Sequence, residues 1–325
     1  MRSLALGLFA LLLSLALGEV VLRVAGYKPR SSTAAPGGDA PDWSTSDPAL
    51  AWVNRPGIGH PDEPGRVPMT FWPDGERASS PEPKKSASRR VVLLGCSFTQ
   101  GFGIADDETF AWDLNQAYPD VRFENWGVGG YGTYQSLLLL ERLLREPGRT
   151  PDLVVYHFIG DHTKRNVAAY KWIKNLKSST ALYYEPPRVA VEDGALATHP
   201  AHAIDAWPLE SHSAWVVVLH DVWLRWRLRD RDHQKLTATQ LLLERMDREV
   251  REAGSRLVIT LLDDMPADTR EFLDRAKVPV IDCSQPTYKS DPAKYRVGGV
   301  GHPSGARNAL WAECMHRELD ARGLL

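Results

Sequence analysis

Cysteine is scarce in this chain: three residues in 325, Cys96, Cys283 and Cys314, odd in number and far apart. That spacing offers neither a disulfide framework nor a zinc site. An excess of charge of one sign is also lacking. The 39 Lys and Arg against 41 Asp and Glu leave a net charge of −2, and with no basic stripe the composition excludes nucleic acid as a partner. No internal repeat is present, so a solenoid or propeller is excluded. Long apolar runs are limited to one, at the N-terminus. What remains is ordinary for a globular protein: 43% hydrophobic and 25% charged residues. Tryptophan is over-used at 11 residues, and Trp172, Trp207, Trp215, Trp223 and Trp226 fall between positions 170 and 230.

Residues 1–24 read as an export signal or an N-terminal membrane anchor. Arg2 precedes an apolar run from Leu4 to Gly18 broken only by Ser14, which matches a signal-peptide h-region and is short for a span. Ala16-Leu17-Gly18 offers a small-x-small cleavage site. If Glu19 is tolerated, residues 4–22 are long enough to tether the chain. Either reading puts the rest on the exported, periplasmic or extracellular side. Arg23, Lys28 and Arg30 weigh mildly against it, since positive charge prefers the cytoplasmic face. Residues 25–88 are rich in Pro, Gly, Ser and Asp and predict a polar lead-in and linker. Ser79–Ser88 is its clearest flexible piece, and Met69–Trp72 one short strand before the Pro73-Asp74-Gly75 turn.

From residue 89 to 325 strand and helix patterns alternate. Strands are expected at Arg90–Leu94, Val121–Trp126, Leu153–Ile159, Arg256–Leu262 and Val278–Cys283. Helices are expected near Thr109–Tyr118, Thr133–Arg145, Ala238–Glu252, Ala267–Ala276 and Ser304–Ala321. This alternation predicts an α/β fold, a five-stranded parallel sheet between two helical layers. Residues 163–235 interrupt the rhythm and are too long for an ordinary connection. They predict a cap or side helix beside the site. The Trp207–Trp226 stretch within them reads as a packing face rather than a sugar platform.

In open α/β sheets, ligands bind beyond the carboxyl ends of the strands. Four glycine-flanked places fall there: Ser97, Gly127–Gly132, Gly160-Asp161-His162 and Gly301-His302-Pro303. A serine nucleophile needs a base and oxyanion donors, and His302 is the natural base. Ser97 as a mere helix cap is the plain alternative. His199, His202, His212 and His220 lack metal-ligand spacing, and neither a cofactor nor a metal is expected.

At these residues the chain resembles the SGNH (GDSL-type) esterase and acyltransferase superfamily. Gly95-Cys96-Ser97-Phe98-Thr99-Gln100-Gly101 is similar to its block I, and Asn125–Thr133 to block II. Phe158–His162, with Asn166 beyond, is similar to block III, and Gly301–Ser304 to block V. The pattern Glu19 to Tyr27 and the Trp72–Gly75 lead-in resemble membrane-tethered members. The resemblance implies a flavodoxin-like three-layer fold. It implies Ser97 as nucleophile and first oxyanion N–H, Gly130 as second donor and His302 as base. Two positions depart from the pattern. Asp161 stands where the family has a donating asparagine, and an ionised carboxylate cannot donate. Val300 and Gly299 stand where an aspartate before the histidine would fix its tautomer, a loss that costs a serine triad about 10⁴ in turnover. Asp161, His162, Asp263, Asp264 and Asp291 are candidates to fill that role, each with an everyday capping or turn role as alternative. Cys96 occupies the acidic position of the GDS motif and is expected to be buried facing away from Ser97. These readings predict an exported serine esterase acting on an ester, with an acylated cell-envelope glycan as one substrate. The alternatives are an O-acyltransferase of a surface polysaccharide and a degenerate fold that binds a glycan or partner.

Overall fold

The computed structural model describes residues 2–29, 43–59, 67–148, 150–180, 184–275, 277–285, 289–299 and 301–325. Val300, one of the two positions expected to lack the orienting acid, lies outside them. Leu, Ala and Val carry a single helix, α1 (Arg2–Val24), straight through Glu19. From Ser3 to Val24 it is long and apolar enough to cross a membrane, and none of it is buried in the protein.

The lead-in differs from the expected linker. Its strands β1 (Ser44–Asp47) and β2 (Ala51–Asn54) form an antiparallel pair, as do β3 (Gly57–Gly59) and β4 (Met69–Phe71). Arg77 is wholly buried and its N–H donates to the Asn125 carbonyl at 2.9 Å. Even the stretch expected to be flexible is tied down: Ser79 Oγ donates to Phe123 O at 2.9 Å, and Lys84 Nζ to Tyr118 O at 2.9 Å. These are bonds from single side chains to distant backbone, which leave no periodic trace in the sequence.

The main sheet contains β5 (Arg89–Gly95), β6 (Val121–Gly127), β7 (Leu153–Phe158), and, late in the chain, β12 (Arg256–Leu261) and β13 (Val280–Asp282). Its order is β13-β12-β7-β5-β6, with every pair parallel. Alternate residues serve opposite faces. Val92, Leu94, Tyr156 and Ile259 face a layer containing α4 (Thr133–Leu144), α8 (Arg231–Glu252) and α9 (Ala267–Arg275). Val91, Leu93, Val155 and Val258 face α3 (Phe110–Ala117) and α11 (Gly305–Ala321). This is the expected five-stranded three-layer architecture. Helix α8 begins seven residues before the expected start because its first two turns are polar, RDHQKLT, with no apolar stripe to mark them.

One expectation about cysteine is overturned. Cys283, at the end of β13, and Cys314, on α11, form a disulfide with Cα atoms 5.7 Å apart. Their separation of 31 residues looked unpaired because only the stacking of the last helix on the edge strand brings them together. Cys96 is the one free cysteine among the described residues and is buried with Phe110 and Trp311, as expected.

The segment from 163 to 235 is not one cap. Helix α5 (His162–Asn166) and helix α6 (Tyr170–Thr180) adjoin the carboxyl edge of the sheet. Strand β8 (Tyr184–Glu185) pairs with β11 (His202–Ala203), and β9 (Arg188–Glu192) with β10 (Ala195–His199). Helix α7 (Ala214–Arg227) holds Trp215, Trp223 and Trp226, three of the five tryptophans between positions 170 and 230, and packs against α1 instead of the cleft. On its inner side Trp207 stacks on the buried His220 at 4.9 Å, so part of the cluster does pack.

Candidate active site

In a parallel sheet of this order, the winding reverses between β5 and β7, and the crevice opens beyond their carboxyl ends. Cys96 and Ser97 follow β5. Ser97 is the first residue of a one-turn helix, α2 (Ser97–Gln100), closed by Gln100 N donating to Cys96 O at 2.9 Å and by Gly101. The turn thus lifts the hydroxyl onto the rim, 7% exposed. His302 comes from the opposite end of the chain. Helix α10 (Pro292–Tyr295) leads into a closed turn in which Val297 N donates to His302 O at 2.8 Å and Ser304 N to Tyr295 O at 3.1 Å. The two side chains, 205 positions apart, meet with His302 Nε2 3.0 Å from Ser97 Oγ. The imidazole presents its edges to Phe102 and Phe98, with ring centres 4.9 and 6.0 Å away. For Nε2 to accept the serine proton, the ring proton must sit on Nδ1.

Ser97, Asp161 and His302 line one cleft of about 600 Å³, together with Gly160, Lys164 and Pro266. Arg165 and Lys235 add positive charge to its wall, and Asp263, Asp264 and Asp268 add negative. Asp161 begins α5, and its side chain is 62% exposed beside Lys164, whose Nζ donates to it at 3.3 Å. The carboxylate therefore faces solvent next to a cation. The other acids weighed for the orienting role are engaged elsewhere. Asp263 pairs with Arg307 at 3.4 Å, Asp264 with Lys289 at 2.7 Å, and Asp291 accepts the Lys294 N–H as the cap of α10. His162 turns into the core, 2.7 Å from the Tyr156 hydroxyl, and burial holds it well below the usual imidazole range.

Gly130 does not line that cleft. It sits with φ +84° where a Cβ would press on the indoles of Trp52 and Trp172, at 3.1 and 3.3 Å. Trp172 lines a smaller adjoining hollow of about 210 Å³ shared with Asp161, Lys164 and Arg165. The Gly129–Tyr131 loop is held at two carbonyls. Trp52 Nε1 donates to Gly129 O at 2.8 Å. In a trans peptide the carbonyl and the next N–H point opposite ways, so this bond aims the Gly130 N–H away from Trp52. Arg165 lies over the Trp172 ring at 4.8 Å and donates to Tyr131 O at 2.8 Å.

The supporting residues from the lead-in were missed in the sequence. Asn54 Nδ2 donates to Gly127 O at 3.0 Å, and Gln100, on the nucleophile turn, donates to Asn54 Oδ1 at 2.7 Å. Arg77 holds the loop after that turn, donating to Gln100 O at 3.1 Å and Ile104 O at 3.0 Å and pairing with Asp106. The one signal that bordered on them was the Trp72–Gly75 motif, whose turn delivers Arg77 to the interior.

No family model matches the chain, and no curated protein resembles it in sequence. Among solved structures it is similar to TesA, with 14% identity and a TM-score of 0.43 over 73% of this chain and 100% of the other. It is similar to a lipolytic G-D-S-L family protein from Veillonella parvula, with 11% identity and a TM-score of 0.37 over 70% and 96%. An acetylxylan esterase, Axe2 from Geobacillus stearothermophilus, gives 14% identity and a TM-score of 0.40 over 73% and 96%.

Proposed function

We propose that the chain is an SGNH-type serine esterase held at the outer face of a membrane by α1, with residues 89–325 as its hydrolase domain. The observation that carries the reading is the 3.0 Å approach of His302 Nε2 to Ser97 Oγ at the mouth of an open cleft. In this reaction Ser97 Oγ attacks the acyl carbonyl while its proton passes to His302 Nε2. The proton leaves with the departing alcohol. Water then attacks the acyl-serine, giving up a proton to His302, and as the acyl–Oγ bond breaks that proton returns to Ser97 Oγ and the acid is released. The Ser97 N–H is one donor to the oxyanion. The resemblance assigns the second to the Gly130 N–H, on the loop beside the cleft and outside its lining, with Trp52 as a positioning residue for it. Asp161 does not donate as a carboxylate; its partner Lys164 offsets the negative charge it would present to the oxyanion. The disulfide supports an exported location, since such bonds persist in oxidising compartments. An acylated cell-envelope glycan suits that location. If a sugar hydroxyl replaces water in the second half-reaction, the same site is an O-acyltransferase.

The exposed carboxylate of Asp161 at the position of a donor favours one second reading, a degenerate site that binds a glycan or partner without turnover. A fluorophosphonate probe and p-nitrophenyl acetate separate the two. Ser97 should be labelled and the ester hydrolysed, with Ser97→Ala and His302→Ala each losing at least about 10³ of the rate. Absence of labelling and of turnover above blank in the full chain would end the esterase reading.

A further inference from the structure

Helix α7 has two faces of different character. Ala214, Val217, His220 and Leu224 are buried against the domain, and Glu210 holds His220 Nδ1 at 3.0 Å beneath them. The opposite face repeats at positions i, i+4, i+7 and i+11: Trp215, Leu219, Val222 and Trp226, exposed by 36, 54, 59 and 59%. An apolar stripe of this length on an outer surface marks a partner.

The first member of the stripe touches α1. The Trp215 indole donates to Leu15 O at 3.1 Å and lies against Gly18, where any Cβ would overlap its ring. Glu19 accepts the N–H groups of Ala214 and Trp215 at 2.8 and 3.2 Å and the Ser213 hydroxyl at 3.0 Å. It thereby caps α7 and satisfies helix-end donors that need an acceptor. Arg23 pairs with Glu19 and donates to His212 O at 2.8 Å. The charge inside the apolar run is thus consumed in fixing α7 to α1 at one level.

That level sets the depth. The apolar span begins at Ser3, so its part beyond the junction, Ser3 to Gly18, is about 24 Å of helix at about 1.5 Å per residue. A hydrocarbon core is about 30 Å thick, so a short span draws the attached domain down onto the bilayer. Arg225 and Arg229 flank Trp226, and Arg229, which also pairs with Asp230 at 3.5 Å, lies over its ring at 5.4 Å. Tryptophan and arginine beside an apolar stripe fit the headgroup region.

We propose that α7 is an interfacial helix that lays its Trp215–Trp226 face on the phospholipid surface beside α1, so that the protein rests on the membrane instead of hanging from a tether. The proposal rests on reading α1 as a retained membrane anchor. It requires that α1 stay uncleaved, because removal after Gly18 would strip the Trp215 indole of its seat.

The test uses the full chain reconstituted in vesicles of zwitterionic and anionic phospholipid. Cys283 and Cys314 are bonded and Cys96 is buried, so a single added cysteine takes a polarity-sensitive fluorophore selectively. Labels go at Leu219→Cys, Val222→Cys, Leu8→Cys in α1, and Arg317→Cys on α11 as a reference. Leu219 and Val222 labels should shift to the blue and be quenched by nitroxide lipids bearing the spin label near the headgroup. The Leu8 label should be quenched best by mid-chain nitroxides, and the Arg317 label by neither. If Leu8 is quenched while 219 and 222 behave like 317, the anchor stands and the interfacial helix is overturned. If Leu8 is not quenched either, the anchor reading fails and the interface with it. Self-quenching of the 222 label that disappears on dilution with unlabelled chain assigns the face to a second copy and also overturns the proposal.

Discussion

On the proposed esterase reading a carboxylate, Asp161, stands where the reaction calls for a donor, and that reading can be tested at a single side chain. The side chain is 62% exposed and held by Lys164 at 3.3 Å, so substitution costs little stability. Asp161→Asn supplies an amide donor and removes a charge that opposes the oxyanion. Ester hydrolysis should rise, by up to about 10²-fold, the value of one oxyanion donor; steady-state kinetics on p-nitrophenyl acetate measure it. A fall would give the carboxyl a task of its own, such as holding Lys164 over the cleft. Trp52 offers the complementary test. Its indole N–H fixes the Gly129 carbonyl and so the direction of the Gly130 N–H. Trp52→Phe keeps an aromatic ring facing Tyr131, 6.0 Å away, and removes that bond together with the indole edge that packs at Gly130. We expect kcat to fall about tenfold with KM nearly unchanged, as for a donor used in the transition state; loss of binding instead would make Trp52 part of the substrate wall.

Elements were legible where their period or punctuation was local. The runs VVLLG, VRFENWG and LVVYHF announce buried parallel strands, and Thr109, Ser304 and Gly254 bound helices within a residue or two of where the sequence suggested. The lead-in was illegible because its fixity lies in Asn54, Arg77 and Lys84 reaching carbonyls far along the chain. A polar residue with such a contact reads the same as one in a linker. Of the candidate site, the meeting of Ser97 with His302 was expected from their places at two strand ends, whereas the scatter of the acids was not, since partners such as Lys289 and Arg307 come from separate elements. The disulfide belongs here too, because it joins the edge strand β13 to α11, the helix that follows His302. Cys283→Ser with Cys314→Ser should lower the unfolding free energy by about 2–4 kcal/mol, read from urea midpoints, while leaving fluorophosphonate labelling of Ser97 intact. Loss of labelling in a folded variant would mean that the bond also sets the His302 turn.

Among the described residues, burial disfavours the charged form of two core histidines, His157 and His162, and this contributes to how the fold answers acid. His157 lies between Leu94 O, 3.2 Å from Nδ1, and Met315 Sδ, and burial pushes it down to about 3. Burial also holds His162 well below its usual range. In the unfolded chain both titrate near 6.5. Between about pH 6.5 and 3 these two sites therefore bind more protons in the unfolded state than in the folded one, and their contribution to the unfolding free energy falls as pH falls. The Glu76 carboxyl, which burial raises to about 8, contributes in the opposite direction above the range where the unfolded carboxyl titrates. Above about 6.5 the two histidines contribute no slope. His157→Asn places an amide donor where Nδ1–H meets the Leu94 carbonyl and removes one of the two titrations. Urea unfolding at neutral pH and again near pH 4.5 should show a smaller loss of stability for this variant than for the native chain. An equal loss in both would mean that His157 already charges inside the fold, against a site walled by Phe110 and Met315.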